Sequence, residues 1–287
     1  MNHHYNVEEF TWGCELELGD VPRSTVIPLN LGRWEYAETD IINQLKPYKY
    51  VAADPLGLEP PVGGEINTHP TKTIEEQLEN IERIFKLFKN ITVSSSIMEF
   101  HIHVRVPGLI NDTEALKRLT RYVVANQQTV IDKCVGYVEH PKMKETKTAR
   151  TYLKLDMGRK MPLWMVENIE KCKNFQEFIH TQCCGKNMVR ARPIRYCINT
   201  YCLKHTETIE FRCFRASLDL FLLRDCFYFV RDFMNAALNG GATALEIIND
   251  NNYEFPKFIY NHEEYLGWES TKWSKERGKK KRTKIDI

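Results

Sequence analysis

The stretch EFHIHVRV, residues 99–106, alternates apolar residues with Glu99, His101, His103 and Arg105. This alternation predicts a β-strand with one apolar and one polar face, because successive side chains of a strand point to opposite sides. Two imidazoles on one face are candidate metal ligands. A half-exposed strand can also carry such residues without a function, so this stretch alone leaves both interpretations open.

Three other extended segments carry acidic residues. FTWGCELEL (residues 10–18) and TIEFR (208–212) alternate in the same way, and GGEIN (63–67) is a shorter segment of this kind. Their polar positions are Glu15 and Glu17 in the first, Thr208, Glu210 and Arg212 in the second, and Glu65 in the third. The apolar faces require burial, so we expect these strands to share one sheet. One face of that sheet would then collect carboxylates, imidazoles and guanidinium groups.

Helical spacing of apolar residues predicts helices between these strands. They are a helix from residue 74 capped by Thr71 or Thr73, one from Asp112 or Thr113 to about Cys134, a short one at 174–182, and one at 217–238 that ends at Gly240-Gly241. We interpret residues 139–162 as a long loop and 193–203 and 206–214 as extended. Strands and helices in mixed order predict an α+β fold, with helices covering one face of a largely antiparallel sheet.

Composition predicts one domain with a charged tail. The chain has 287 residues, of which 43% are hydrophobic, and no repeat or flexible linker divides it. We therefore expect a single domain at 1–270 and a basic, disordered tail at 271–287. The tail holds eight Lys or Arg against Glu276 and Asp286, so it carries +6 and leaves −4 on the rest. It is either a solvated end or a handle for nucleic acid or another polyanion.

The expected cellular compartment is inferred from targeting signals, membrane spans and cysteine usage. The sequence shows no targeting signal and no apolar stretch long enough to span a bilayer, so no membrane partner is expected. Nine cysteines, an odd number, favour free thiols in a reducing compartment over a disulfide framework. We expect a cytoplasmic location.

The spacing of the acidic residues suits divalent metals. Side chains two apart on a strand emerge roughly 6.5 to 7 Å apart, so two carboxylates can converge on one ion or hold two neighbouring ions. An oxygen-rich set with one imidazole favours Mg²⁺ or Mn²⁺ over Zn²⁺. Beside such ions, Arg212 could hold a transferred phosphoryl group.

Five motifs together resemble the amidoligase family, a branch of the carboxylate–amine ligases that includes glutamine synthetase and γ-glutamylcysteine ligase. In chain order they are GCELEL, GGEINTHP, FHIHV, RYCINTY and TIEFRCF, and the resemblance runs from about residue 10 to about residue 240. It implies a curved, largely antiparallel sheet of the glutamine synthetase type. It also implies an ATP-dependent ligase that forms an amide or isopeptide bond through an acyl phosphate.

The resemblance also implies roles for single residues. Metal ligands would be Glu15, Glu17, Glu65, His101 and Glu210, with His103 a second ligand or a contact to nucleotide or substrate. Arg195 and Arg212 would contact the transferred phosphoryl group, and Asn199 completes the catalytic set with them. We interpret Glu99, at the start of the strand, as a bystander. The family's Asp-Gly-Ser before the second motif is reduced here to Asp54.

Two other functions stay open. A metal-dependent hydrolase of the amidohydrolase kind also uses His-x-His with acidic partners, but it needs a (β/α)₈ barrel with further histidines at later strand ends. A binding module for DNA or another polyanion would use the tail and would keep only a degenerate ligase site. The residues do not identify the acid and amine substrates, whether small molecules or peptides, or the oligomeric state.

Overall fold

The computed structural model describes residues 4–19, 27–29, 33–35, 52–53, 63–87, 99–135, 160–183 and 196–257. Its strands are β1 (Thr11–Gly19), β2 (Ile27–Leu29), β3 (Arg33–Glu35), β4 (Ala52–Ala53), β5 (Gly63–Asn67), β6 (Glu99–Arg105), β7 (Ile198–Asn199) and β8 (Thr208–Arg215). Within these residues five strands form an antiparallel sheet in the order β5-β1-β6-β8-β7. The remaining three form a second small sheet. The predicted α+β class and the largely antiparallel sheet are confirmed.

The α-helices of the described residues are α1 (Ile74–Leu87), α2 (Thr113–Val130), α3 (Leu163–Ile169), α4 (Phe175–Cys183), α5 (Leu220–Asn239) and α6 (Ala244–Asn251). The predicted caps are confirmed where Thr73 Oγ1 accepts from Glu76 N at 3.1 Å and Asp112 Oδ1 accepts from Ala115 N at 2.9 Å. Gly240 ends α5 with a positive φ of 83°, a conformation that glycine adopts without strain. None of these helices combines the length and the apolar character needed to cross a membrane.

The spacing of apolar residues predicts neither α3 nor α6, because helices of seven and eight residues make too few turns for a clear apolar stripe. The prediction of an extended segment at 193–203 is wrong for most of residues 196–203, the part of it that the structure describes. Only Ile198 and Asn199 form a strand, and Thr200–Lys204 form a 3-10 helix. The chain turns there because Asn199 Oδ1 accepts a hydrogen bond from Tyr201 N at 3.1 Å. The described residues do not include loop residues 139–159, residues 193–195 or the tail at 271–287.

The apolar face of the five-stranded sheet packs against the helices through aromatic rings. The ring centroid of Phe227 in α5 lies 5.6 Å from that of Phe100 in β6 and 6.2 Å from that of Trp12 in β1, and both ring pairs are arranged edge to face. Phe100 and Phe227 are fully buried. Because a buried aromatic side chain contributes a large apolar area, this one ring joins α5 to two adjacent strands.

A β-bulge in β8 changes which residues share a face. Phe100 pairs with Phe214 and Ile102 pairs with Phe211, so β8 advances three residues while β6 advances two. Strict alternation from Phe211 would put Arg215 on the apolar face. The register instead pairs Arg215 with Glu99, on the polar side of the sheet.

We expect Phe227→Ala to lower the free energy of unfolding by about 3 to 5 kcal/mol, because it leaves a cavity between α5 and the sheet. Urea unfolding followed by circular dichroism measures this change. The matched control is Phe221→Ala on the same helix, whose side chain is 70% exposed and whose loss should change stability by less than about 0.5 kcal/mol. Equal losses in both variants would contradict the role given to Phe227.

Candidate metal and phosphate site

Three neighbouring strands bring the predicted charged residues to one sheet face. β1 carries Glu15 and Glu17, β6 carries Glu99, His101 and His103, and β8 carries Glu210 and Arg212. The register places His101 opposite Glu15 and His103 opposite Glu210. The prediction that these strands share one sheet is confirmed, so side chains from widely separated segments come within contact distance.

His101 lies between two carboxylates and is 1% exposed. Its Nδ1 is 2.8 Å from Glu15 Oε2, and its Nε2 is 2.7 Å from Glu99 Oε2. Burial by itself would lower the pKa of His101, but the hydrogen bonds to both carboxylates outweigh it and raise the pKa to about 10. Without a bound metal, His101 is therefore an imidazolium that donates to both neighbours.

The side chain of His103 is more exposed than that of His101. Its Nε2 is 3.1 Å from Glu15 Oε1, and its Nδ1 is 3.1 Å from Thr208 Oγ1. The Thr208 hydroxyl in turn lies 2.6 Å from the Thr206 hydroxyl. Burial by itself would raise the pKa of Glu15, but the hydrogen bonds to the two imidazoles hold it well below its usual range.

Glu210 is buried and hydrogen-bonded through both carboxylate oxygens. Its Oε2 accepts from Asn199 Nδ2 at 2.6 Å and from Cys202 Sγ at 3.1 Å, and its Oε1 accepts from Arg212 Nη1. Burial would raise the pKa of Glu210, but the charge of Arg212, together with the imidazoles, outweighs it and lowers the pKa to about 2. Asn199, which is predicted as a catalytic residue, therefore donates a hydrogen bond to the Glu210 carboxylate.

Glu99 is not a bystander, and that interpretation is wrong. Its carboxylate contacts His101 and lies 3.5 Å from Arg212 Nη2, while its backbone N–H donates to Glu17 Oε2 at 2.7 Å. Glu17 itself is buried. Glu65 pairs with Glu17 in the backbone register between β5 and β1, and its side chain lies outside the described part.

Arg212 is buried and held by two carboxylates. It makes ion pairs with Glu210 and Glu99, and their negative charges raise its pKa although burial alone would lower it. Among the described residues, no group hydrogen-bonds its buried Nε. The neighbouring Arg215 is also buried; its pKa falls to about 10 because burial outweighs the charge of Glu99.

Two groups on this face have the composition of metal sites. Glu15, His103 and Glu210 form one, and Glu17, Glu99 and His101 form the other; in each, the ligand atoms lie within 4.8 Å of one another. His101 Nδ1 also lies 3.7 Å from Glu210 Oε1, so the two groups adjoin. Of the residues predicted for this site, Arg195 lies outside the described residues, as does Asp54 of the incomplete Asp-Gly-Ser motif.

Sequence reasoning gave no role to four residues of the site, which are Glu99, Cys202, Thr208 and Arg215. For Glu99 and Thr208 a signal existed, because each stands two positions from a predicted ligand on the same face of its strand. Cys202 lies in the 3-10 helix that replaces a predicted extended segment, and Arg215 follows the bulge. The alternation of apolar and polar residues in the sequence reveals neither the 3-10 helix nor the bulge.

Comparisons of the chain with protein-family models, with curated proteins and with solved structures found no match. A function for the chain is therefore inferred from the geometry of these residues and from the sequence motifs that contain them.

With divalent ions chelated, we expect stability to fall between about pH 6.5 and 10, because folded His101 binds its proton more tightly than the unfolded chain does. The contribution of His101 is fully present below its ordinary pKa of 6.5 and disappears as the pH rises through about 10. Its size is of the order of a few kcal/mol. Urea unfolding of the wild type and of His101→Gln across this range measures it.

The control variant is His205→Gln, because the His205 side chain is exposed and its ring packs against Tyr201. In His205→Gln the free energy of unfolding should depend on pH as it does in the wild type. In His101→Gln the decrease between about pH 6.5 and 10 should be absent. A wild-type curve that His101→Gln leaves unchanged would show that His101 is not a buried imidazolium.

Proposed function

We propose that the chain is an ATP-dependent carboxylate–amine ligase that forms an amide or isopeptide bond through an acyl phosphate. The observation that carries the proposal is the convergence of three of the resemblance motifs on one sheet face. Glu15, His101 and Glu210 come from separate motifs, yet His101 Nδ1 is 2.8 Å and 3.7 Å from the two carboxylates. A fold of the glutamine synthetase type, with an acidic face on a largely antiparallel sheet, is part of this proposal.

The donor set fits divalent cations. Carboxylates are the ligands that Mg²⁺ and Mn²⁺ prefer, and the buried or half-buried carboxylates of this face outnumber its imidazoles. Glu15, Glu17, His101 and Glu210 would hold such ions, and Glu65 is proposed with them from the sequence alone. When bound, the ions would neutralise the phosphate oxygens of ATP during transfer of the γ-phosphoryl group to a substrate carboxylate.

Arg212 is suited to bind the transferred phosphoryl group. Its ion pairs with Glu210 and Glu99 fix the guanidinium, and its buried Nε has no hydrogen-bond partner among the described residues. A fixed positive charge stabilises the negative charge that builds up in the transition state. Arg195 is proposed for the same task from the RYCINTY motif. Asn199 has a positioning role, because it holds the Glu210 carboxylate.

The two alternative functions have less support. The antiparallel sheet of the described residues is not the parallel sheet of a (β/α)₈ barrel, which the hydrolase alternative requires. The polyanion-binding alternative depends on the tail at 271–287, which lies outside the described residues. A cytoplasmic location, a nucleic-acid partner bound through the tail, and oligomer formation remain proposals from the sequence.

The test is release of ADP from ATP with Mg²⁺ or Mn²⁺, measured across a panel of carboxylates and amines. We expect a substrate-dependent rate that falls more than about a hundredfold in Glu15→Gln and in Glu210→Gln, since loss of groups that only orient ligands already costs up to that factor. The control is Glu207→Gln, which removes an exposed carboxylate in an ion pair with Arg105.

Turnover that survives both site variants would contradict the metal assignment. No release of ADP with any member of the panel, together with DNA binding that depends on residues 271–287, would favour the polyanion-binding module. In that case the affinity of the full chain for DNA should fall as the salt concentration rises, because each neutralised phosphate releases counterions.

A further inference from the structure

A cavity of about 820 Å³ lies between α3, α4 and the 3-10 helix Thr200–Lys204. Its walls include Lys171 and Cys172, which follow α3, several side chains of α4, and Lys204 at the end of the 3-10 helix. Among the described residues, none of the charged groups of the metal and phosphate site lines this cavity. Its volume is in the range of cavities that bind small organic molecules.

Two buried polar contacts hold the walls of this cavity together. Cys172 Sγ lies 3.4 Å from Thr181 Oγ1, a contact that joins the end of α3 to α4. Thr200 Oγ1 lies 2.7 Å from Gln182 Oε1 and donates to it, which joins the 3-10 helix to α4. All four side chains are buried. The cavity therefore has a fixed frame, as is usual for a ligand site that is formed before the ligand binds.

Two lysines bring positive charge to the cavity. In the part of the chain that the structure describes, no carboxylate forms an ion pair with Lys171 or Lys204. The Lys204 ammonium group donates to the Tyr201 hydroxyl at 3.3 Å and lies 5.5 Å from the centroid of that ring. A phenol does not neutralise an ammonium group, so both lysines keep an uncompensated charge beside the same cavity.

Glu177 is the one acidic residue in the described lining, and its charge is already used. Its carboxylate accepts hydrogen bonds from Lys173 N at 2.8 Å and from Asn174 Nδ2 at 3.4 Å. These donors lie at the N-terminus of α4, where the helix dipole also favours a negative charge. Glu177 therefore serves the helix and leaves the two lysines without an anion of the protein.

Two side-chain amides and an apolar wall complete the cavity. Asn168 and Gln176 line it, and within the described residues their side chains make no hydrogen bond. Primary amides donate to carboxylate and phosphate oxygens, as ammonium groups do. The buried Ile179 adds apolar surface to the same cavity. This combination suits an organic anion better than a single inorganic ion.

We propose that the cavity binds a small organic anion whose carboxylate or phosphate groups contact Lys171 and Lys204, with Asn168 and Gln176 as further donors. The anion removes the repulsion between two like charges and forms charge-assisted hydrogen bonds, which are stronger than neutral ones. The site is distinct from the proposed metal and phosphate site. Its occupant is therefore a ligand additional to the ions, nucleotide and substrates of the proposed ligase.

The experiment titrates the full chain with citrate and, separately, with glycerol 3-phosphate, while the backbone amide NMR signals are recorded. The protein is first freed of divalent ions and desalted, and no ATP is added, so the result does not depend on the ligase proposal. We expect saturable shifts of the Ile179, Thr181 and Lys204 amides and unchanged signals of Glu15 and His103. The probe that binds more tightly identifies the oxyanion that the cavity prefers, and uncharged glycerol should cause no shift.

Lys171→Gln and Lys204→Gln should each weaken binding of the tighter probe about tenfold, because each removes one charge-assisted contact. Both side chains are exposed, so these variants should fold as the wild type does. The matched control is Lys173→Gln, which removes the same charge two positions from Lys171, at an exposed side chain that does not line the cavity. Its affinity should stay within about twofold of the wild type.

Thr200→Val tests the frame of the cavity with both lysines in place. It removes the hydrogen bond to Gln182 that joins the 3-10 helix to α4, so binding should weaken, and Thr200→Ser should restore it. Absence of saturable binding by either probe would overturn the proposal. Equal affinity in the two cavity-lysine variants and the wild type, or shifts at Glu15 and His103 in place of the cavity amides, would also overturn it.

Discussion

The neutralisation of four carboxylates on one partly buried sheet face is the constraint on which the rest of the site depends. Glu15, Glu17, Glu99 and Glu210 lie on three adjacent strands, and burial of an uncompensated charge is costly. In the metal-free protein the compensating charges are the imidazolium of His101 and two buried arginines. A site held in this way has every carboxylate directed by a neighbour, so a cation that enters meets ligands already in place.

The strand register makes this compensation possible, because it sets which charges face one another. His101 is opposite Glu15 only because β1 and β6 pair antiparallel with this offset, and a slip of one residue would turn the imidazoles toward the aromatic core. The bulge in β8 adds Arg215 to the polar side without moving Glu210 away from His103. Phe227, which contacts rings on both β1 and β6, supports that register from the helical side.

The contacts around the ligands also change the interpretation of single residues. Asn199 and Cys202, which bind one oxygen of Glu210, act on the site through that carboxylate. Arg212 connects Glu210 with Glu99, so the group proposed to contact phosphate is fixed by two of the acidic residues. Removal of such a neighbour therefore changes the orientation of a ligand as well as a local charge.

The sequence by itself determined the α+β class, most of the longer elements and the charged faces, because alternation and helical spacing follow from local backbone geometry. It placed Glu15, Glu17, His101, His103 and Glu210 on faces that the structure brings together. Tertiary structure alone decided the strand order, the bulge that moves Arg215, and which groups Glu99 and Thr208 contact. These depend on cross-strand pairing, which is set by packing between distant segments and leaves no periodic signal in either segment.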